Sequence, residues 1–284
     1  MIVLPPPLPG IVLDPIVRLA LSEDLGRAGD LTTDATIKPG TQLTAHIRAR
    51  KHGILAGMDA AAHALKLVDD TVSFEQHIED GGALTPGDII AVMSGPARAI
   101  LIAERTMLNF LGRLSGIATL TSTYAKAIAH TEATVVCTRK TTPGHRAVEK
   151  RAVRCGGGTS HRYGLDDAIL IKDNHIAACG SISEALQRAH AYAGHLRMIE
   201  IEVDTLDQLH EALPHKPHAV LLDNMGPDTL REAVAIIDGQ CLAEASGGIT
   251  LDTIAAVAET GVNYISVGAL THSAVNLDVG LDIL

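Results

Sequence analysis

The sequence predicts an α/β protein: a parallel β/α barrel in the C-terminal part, preceded by a compact α+β module. Three observations predict it. From Thr134 onward, short apolar runs alternate with helical segments, as parallel strands joined by right-handed crossovers require. Before Thr134, strand-like pieces cluster with glycine turns and a single Ala-rich helix, the order of an α+β module. Finally, 46% of residues are hydrophobic but only 2% aromatic, with no Trp. A core of Ala, Val, Ile and Leu suits helices lying close on sheets, and 284 residues suffice for one large domain or two smaller ones.

Taken in order, the lead MIVLPPPLPG lacks a basic n-region and is broken by prolines, so no signal peptide is expected. Asp14–Leu25 has helical spacing of Ile16, Val17, Leu19, Ala20 and Leu21, and then meets a polar break, GRAGDLTTDA. Residues 41–55 alternate as a strand should, with Gly53 and Gly57 as punctuation. Met58–Val68 reads as an Ala-rich helix, followed by β-like TVSFEQHI and LTPGDIIAVMSGP around the Gly81–Gly82 turn. Ala97–Leu114 is predicted as a long helix with Leu101, Leu108, Leu111 and Leu114 on its apolar stripe. Arg105, Asn109 and Arg113 recur on its polar face, where solvation alone would also explain them. A second helix, Ala118–His130, is expected after a break at Ser115–Gly116. The domain boundary is placed there: 1–115 as the first domain with its long linking helix, and 116–284 as the barrel, whose C-terminal tail is free to pack back on the first domain.

The barrel strands are expected at Thr134–Thr138, Ala168–Lys172, Met198–Val203, Ala219–Asp223, Cys241–Ser246 and Asn263–Gly268. Helices are expected between them at 145–154, 181–193, 205–212, 228–237 and 250–259. A doubly wound sheet is the alternative, but no GxGxxG follows the first strand. The barrel also accounts for what ends each strand, since its chemistry gathers at the C-terminal strand tips. Those tips are Arg139 and Lys140, Lys172, Glu202, Asp223, Ser246-Gly247-Gly248 and Val267-Gly268-Ala269.

Charge concentrates at residues 137–175, where Arg139, Lys140, Arg146, Lys150, Arg151, Arg154, Arg162 and Lys172 fall together in a protein of net charge −10. A local positive field in an acidic chain points to a small polyanionic ligand. A solvated basic helix explains Arg146–Arg154 equally well. Net acidity and scarce aromatics argue against nucleic acid, and no apolar run approaches a membrane span. Cys137, Cys155, Cys179 and Cys241 form no CxxC pair, so a reduced cytoplasmic setting without structural zinc is expected.

Glycines at Gly247, Gly248 and Gly268 let backbone N–H groups approach a phosphate, although tight turns would use them too. Glu202 and Asp223 could pair with Lys140 and Lys172, hold Mg²⁺ on a pyrophosphate, or face a developing sugar cation. Arg105, Arg139, His161, Arg162 and Lys172 read as a carboxylate pocket, with planar guanidiniums beside a point charge. His145, His175 and His272 stay ambiguous.

The motifs AERTMLNFLGRLSGIAT (103–119), TRKTTPG (138–144), RCGGGTSHRYGLDDAILIKDNH (154–175), EVD (202–204), LLDNM (221–225) and EASGGI (244–249) closely resemble quinolinate phosphoribosyltransferase, also called nicotinate-nucleotide pyrophosphorylase (carboxylating). The similarity runs from LSEDLG (21–26) to SVGALTHSA (266–274), with Ser160 where the family more often has Asn. The resemblance implies a type II phosphoribosyltransferase fold: an incomplete parallel α/β barrel with an N-terminal α/β sandwich domain. It implies a homodimer in which Arg105 enters the neighbouring subunit's site. It implies that Arg139, His161, Arg162 and Lys172 hold quinolinate, that Thr138 at the same strand end also binds substrate, and that Lys140, Glu202 and Asp223 serve 5-phosphoribosyl 1-pyrophosphate and Mg²⁺. Ser246, Gly247, Gly248, Val267, Gly268 and Ala269 would take the 5′-phosphate, with His272 nearby. A paralogue acting on another acid and a non-catalytic metabolite-binding barrel are the rival readings.

Overall fold

A computed structural model of the protein describes Leu4 and residues 6–284; Met1, Ile2, Val3 and Pro5 of the proline-rich lead lie outside the described residues. The chain divides into two compact units. The first comprises the chain up to Ser122 with Thr141–Gly157 and Thr271–Leu284; the second comprises Thr123–Lys140 and Gly158–Leu270.

The first unit is an α/β sandwich. Helix α1 (Gly10–Leu25) starts before the expected Asp14 and buries Leu13, Val17 and Leu21. The polar break in fact contains most of a short helix, α2 (Leu31–Thr36), whose N-cap Asp30 accepts from the Thr33 N–H at 3.0 Å. Asp and Thr favour both caps and turns, so composition alone reads this stretch as loop. β1 (Gln42–Ala49) and β2 (Gly53–Ile54) divide the single strand expected at 41–55. Then come α3 (Met58–Val68), β3 (Ser73–Gln76), β4 (Ala83–Leu84) and β5 (Ile89–Pro96). Helix α1 packs on α3, where Asp14 meets His63 at 3.2 Å.

Helix α4 (Ala97–Ala127) runs unbroken for 31 residues, through the break expected at Ser115–Gly116. Both residues serve packing instead. The Ser115 hydroxyl accepts from the Ala56 N–H at 3.0 Å and donates to the Ala56 carbonyl at 3.2 Å. A Cβ on Gly116 would stand 2.2 Å from the Val275 carbonyl, so the glycine admits a close backbone approach rather than ending the helix. No helix among the described residues is long and apolar enough to cross a membrane.

The second unit contributes β6 (Thr134–Val136). Helix α5 (Arg146–Cys155) belongs to the first unit. The chain continues with β7 (Ile169–Ile171), α6 (Asp173–Cys179), α7 (Ile182–Tyr192), β8 (Ile199–Val203) and α8 (Leu206–Ala212). After these come β9 (Ala219–Asp223), α9 (Pro227–Ile237), β10 (Leu242–Ser246), α10 (Ile254–Ala258), β11 (Tyr264–Ser266) and α11 (Ala269–His272). The six strands form one parallel sheet in the order β6-β11-β10-β9-β8-β7, an incomplete barrel that stays open between β6 and β7 among the described residues. The last strand, β12 (Val279–Ile283), joins the sandwich sheet in the order β12-β1-β5-β3, antiparallel throughout.

Part of the basic stretch proves structural. Glu149, Lys150 and Arg151 of α5 are buried. Arg151 pairs with Asp80 and stands 3.4 Å from Asp59, and Glu149 takes Arg113 of α4 at 3.0 Å. The solvated basic helix is therefore replaced by buried ion pairs, which fix α5 inside its own unit. Removing one partner of such a pair strands the other charge in an apolar surround. Arg151→Leu is expected to lower stability by about 3–5 kcal/mol in urea unfolding, and Arg151→Leu with Asp80→Asn to recover part of it; a loss below about 1 kcal/mol would count against the pair.

Candidate active site

The register of the parallel strands decides which side chains share a face. Glu202 and Glu244 both lie level with Leu221, and Ser246 lies level with Asp223. Ile171 pairs with Ile201, so the next residue along each strand sets Lys172 beside Glu202. Side chains alternate along a strand. Glu200, Glu202, Asp223, Glu244, Ser246 and Lys172 therefore project from one face, the inner one. The alternate residues Ile201, Val203, Val220, Leu222, Ala243 and Ala245 are apolar and buried.

Three groups of contacts stand on this face. At the tip of β7, the Lys172 ammonium pairs with Glu202. The Lys172 backbone N–H donates to His175 Nδ1 at 3.0 Å, so His175 caps α6 and is accounted for structurally. At the tips of β9 and β10, Asn224 adopts φ +55°, donates its N–H to the Ser246 carbonyl at 3.0 Å, and donates Nδ2 to Asp223 Oδ2 at 2.6 Å. Gly247 follows at φ +93°, where a Cβ would strike Asn224 Oδ1 at 2.2 Å. Gly248 at φ +59° needs glycine for its backbone alone, and a Cβ there would meet nothing within 4 Å. This is a glycine turn packed against Asn224 at Gly247 and open at the Cβ position of Gly248.

The third group lies deeper. His161 Nε2 is 3.0 Å from Glu200 Oε2 and 3.6 Å from Glu244 Oε1. Both carboxylates are buried, and Glu200 Oε1 and Glu244 Oε1 have no hydrogen-bond partner. Burial first, and the charge of Glu200 second, push the Glu244 carboxyl up to about 7. The ligand atoms of the trio lie within 4.8 Å of one another, close enough for a cation, but a 3.0 Å N···O separation is a hydrogen bond and accounts for the contact without one. Next to His161, Arg162 donates Nη1 to the Ala168 carbonyl at 3.1 Å, while its buried Nε has no partner and nor does Ser160 Oγ. Burial and then the like charge of Arg139 hold Arg162 below its ordinary pKa. A half-buried guanidinium under the influence of a second positive charge is the electrostatic condition for an anion site.

The remaining predicted residues fall as follows. Arg139 and Lys140 are exposed after β6, Thr138 is half-buried, and the Lys140 N–H donates to Thr138 Oγ1 at 3.0 Å. Val267 is buried and donates its N–H to the Val136 carbonyl at 3.0 Å; Gly268 and Ala269 are half-buried where α11 begins. Arg105 is exposed on α4 and His272 is exposed beside Ser273, both in the first unit; all the other predicted site residues stand in the second. His145 is the N-cap residue of α5, edge-on to Phe110. The first unit also holds a hollow of about 400 Å³ walled by Glu23, Asp24, Thr106, Arg113, His145 and Glu149. Its Arg113 is already paired with Glu149, so it is a poor seat for an acid.

Sequence reasoning missed Glu200 and Glu244. The signal was present: each lies two residues before a residue already singled out, Glu202 and Ser246, and period two keeps such residues on one face.

Residues 117–282 match the family model described as the C-terminal domain of quinolinate phosphoribosyl transferase, and residues 30–115 match that of its N-terminal domain. A nicotinate-nucleotide pyrophosphorylase (carboxylating) of Mycobacterium leprae is 44% identical over 94% of this chain and 95% of its own length. A quinolinate phosphoribosyltransferase (decarboxylating) of Nicotiana tabacum is 42% identical over 99% of this chain and 85% of its own. The solved nicotinate-nucleotide pyrophosphorylase of Francisella tularensis superposes with a TM-score of 0.93 at 38% identity, covering 98% of each chain.

Folding raises the pKa of Glu244, so the folded chain holds that proton more tightly than the unfolded one. The resulting stabilisation is complete below the ordinary carboxyl range and is lost as pH climbs toward about 7. Glu244→Gln cannot titrate. Its stability relative to the parent is expected to improve steadily from about pH 5 to about pH 8 in urea unfolding; a difference that stays flat with pH would contradict a raised carboxyl.

Proposed function

The chain belongs to the quinolinate phosphoribosyl transferase family, and on that footing we propose that it joins quinolinate to the ribose of 5-phosphoribosyl 1-pyrophosphate. Pyrophosphate and CO₂ are released and nicotinate mononucleotide is formed, a step in building NAD. One observation carries our reading of the site: a buried Arg162 Nε without a partner, depressed further by Arg139, in a unit whose inner face also presents Lys172. Those cations suit a diacid better than a monoacid.

In this reading Arg139, Arg162 and Lys172 receive the two carboxylates, His161 belongs to the same pocket, and Arg105 arrives from the second copy of a homodimer. The exposure of Arg105 on α4 supports that last assignment. Lys140, with Thr138 fixing its backbone, serves the pyrophosphate. The Ser246–Gly248 turn and the Val267–Ala269 segment take the 5′-phosphate on backbone N–H groups, with a role also for His272, three residues further along the chain, and the positive-φ turn at Gly247 and Gly248 supports this.

The donor set suits Mg²⁺, because Glu202 and Asp223 end neighbouring strands on one face with hard carboxylate oxygens. Held there, directly or through water and pyrophosphate, the ion would neutralise charge on the departing group. The protein's own residues do the rest by position and field. Lys140 stabilises the leaving pyrophosphate. Glu202 and Asp223 place negative charge where C1 of the ribose becomes oxocarbenium-like. The pyridine nitrogen attacks C1 as pyrophosphate leaves, and the pyridinium so formed stabilises the carbanion left when the adjacent carboxylate leaves as CO₂; that carbon then takes up a proton from solvent. Ribosylation therefore precedes decarboxylation. A cytoplasmic setting is proposed with this role, in keeping with the four free cysteines.

Incubation with quinolinate, 5-phosphoribosyl 1-pyrophosphate and Mg²⁺ is expected to yield nicotinate mononucleotide, pyrophosphate and CO₂ in equal amounts. Binding of quinolinate without product would favour a non-catalytic barrel, and turnover of a different acid alone would favour a paralogue. Arg105→Ala is expected to lower kcat/KM by about 100-fold or more without unfolding the chain. Mixed dimers of Arg105→Ala and Lys172→Ala chains should regain activity, since one of their sites keeps both residues; no regain would refute a shared site. Lys140→Ala should raise the KM for the sugar pyrophosphate more than that for quinolinate.

A further inference from the structure

The trio beneath the site has a geometry that the acid-binding role leaves unexplained. His161 engages both ring nitrogens inside the protein. Nδ1 accepts the backbone N–H of Arg162 at 2.8 Å, and Nε2 stands 3.0 Å from Glu200 Oε2. An imidazole nitrogen that accepts from an N–H carries its lone pair there, so the proton must sit on Nε2, pointing at the carboxylate. A second proton on Nδ1 would face the amide donor and break that bond.

We propose that Glu200 and Glu244 are positioning residues: they hold His161 as the neutral Nε2–H imidazole, and through its Nδ1 contact with the Arg162 amide they set the direction in which Arg162 offers its guanidinium to a substrate carboxylate. The last clause rests on the functional reading above. His161 then organises the pocket from behind and does not serve as one of its cations.

The charges around the ring agree with this arrangement. Glu200 comes from β8 and Glu244 from β10. Lys172, at the end of β7, acts on Glu244, and Glu200 and Asp167 act on the neighbouring Arg162 with Arg139 opposing. Burial and the charge of Glu200 raise the Glu244 carboxyl, and Glu200 favours the charged form of Arg162. Arg162 is held at two points, its amide by His161 and its Nη1 by the Ala168 carbonyl, which leaves the buried Nε for the ligand. A guanidinium fixed in this way loses little freedom on binding.

The full-length protein, uniformly labelled with ¹⁵N-histidine, provides the test. Long-range ¹H–¹⁵N spectra near neutral pH, with the His161 signals assigned by their loss in His161→Asn, should show a protonated Nε2 and an unprotonated Nδ1. A proton on Nδ1, alone or with Nε2, would overturn the proposal. In kinetics, Glu200→Ala should raise the KM for quinolinate roughly 10- to 100-fold while leaving the KM for the sugar pyrophosphate and kcat at saturation nearly unchanged. Glu200→Gln keeps an acceptor for Nε2–H and should restore most of the loss. A Gln variant no better than Ala, or equal damage to both KM values, would also overturn it. Absence of turnover by the unaltered protein would refute the functional reading alone, and the spectra would still decide the positioning.

Discussion

Parallel pairing without a slip is the constraint from which the site follows. Because β7, β8, β9 and β10 are joined in continuous register, Lys172, Glu202, Asp223 and Glu244 emerge on one face of the sheet. A shift of one residue in β8 would turn Glu200 and Glu202 outward and bring Ile201 and Val203 in. The face so defined is unusual for a parallel sheet, whose strands ordinarily read apolar on both sides. Charges there cost desolvation, and the structure offsets it by pairing. Lys172 takes Glu202, and His161 takes Glu200. Arg162 Nε, Ser160 Oγ, Glu200 Oε1 and Glu244 Oε1 stay without a partner, and the first is the one that the proposed function gives to a ligand.

The basic stretch at 137–175 shows the same residue types put to two uses. In the first unit, Arg151 neutralises a buried acid and, together with the Arg113–Glu149 pair from α4, holds α5 in place. In the second, burial and then the charge of Arg139 hold Arg162 below its ordinary pKa, the condition on which the proposed anion site rests. Burial and partner, rather than residue identity, separate the cation that holds the fold from the cation that waits for substrate. The glycines divide likewise: Gly116 lets two backbones approach, whereas Gly247 and Gly248 hold conformations at positive φ that other residues reach only with strain.

Much of this protein was legible before any coordinates. The period of the apolar runs located the parallel strands to within one or two residues, since a short strand is announced by its own side chains and ended by the turn chemistry beside it. The motifs around Arg139, Arg162, Lys172, Glu202 and Gly247 carried the family resemblance without help from the fold. Local ambiguity explains where sequence and structure part: Asp30 caps α2 although the same letters favour a turn, and Ser115–Gly116 resembles a helix break until the carbonyl of Val275 comes close.

Tertiary structure alone decided the rest. Glu200, Glu244 and His161 are far apart in sequence, and no local pattern says that they meet, or which nitrogen of the imidazole carries the proton. That Arg151 would be buried against Asp80 while Arg162 would keep an unpartnered Nε was equally invisible, because both are arginines in one basic run. A sequence records which groups are available and how often they recur along the chain. Desolvation and pairing are set by what the fold brings within a few ångströms, and they determine which of those groups holds the structure together and which one the substrate must satisfy.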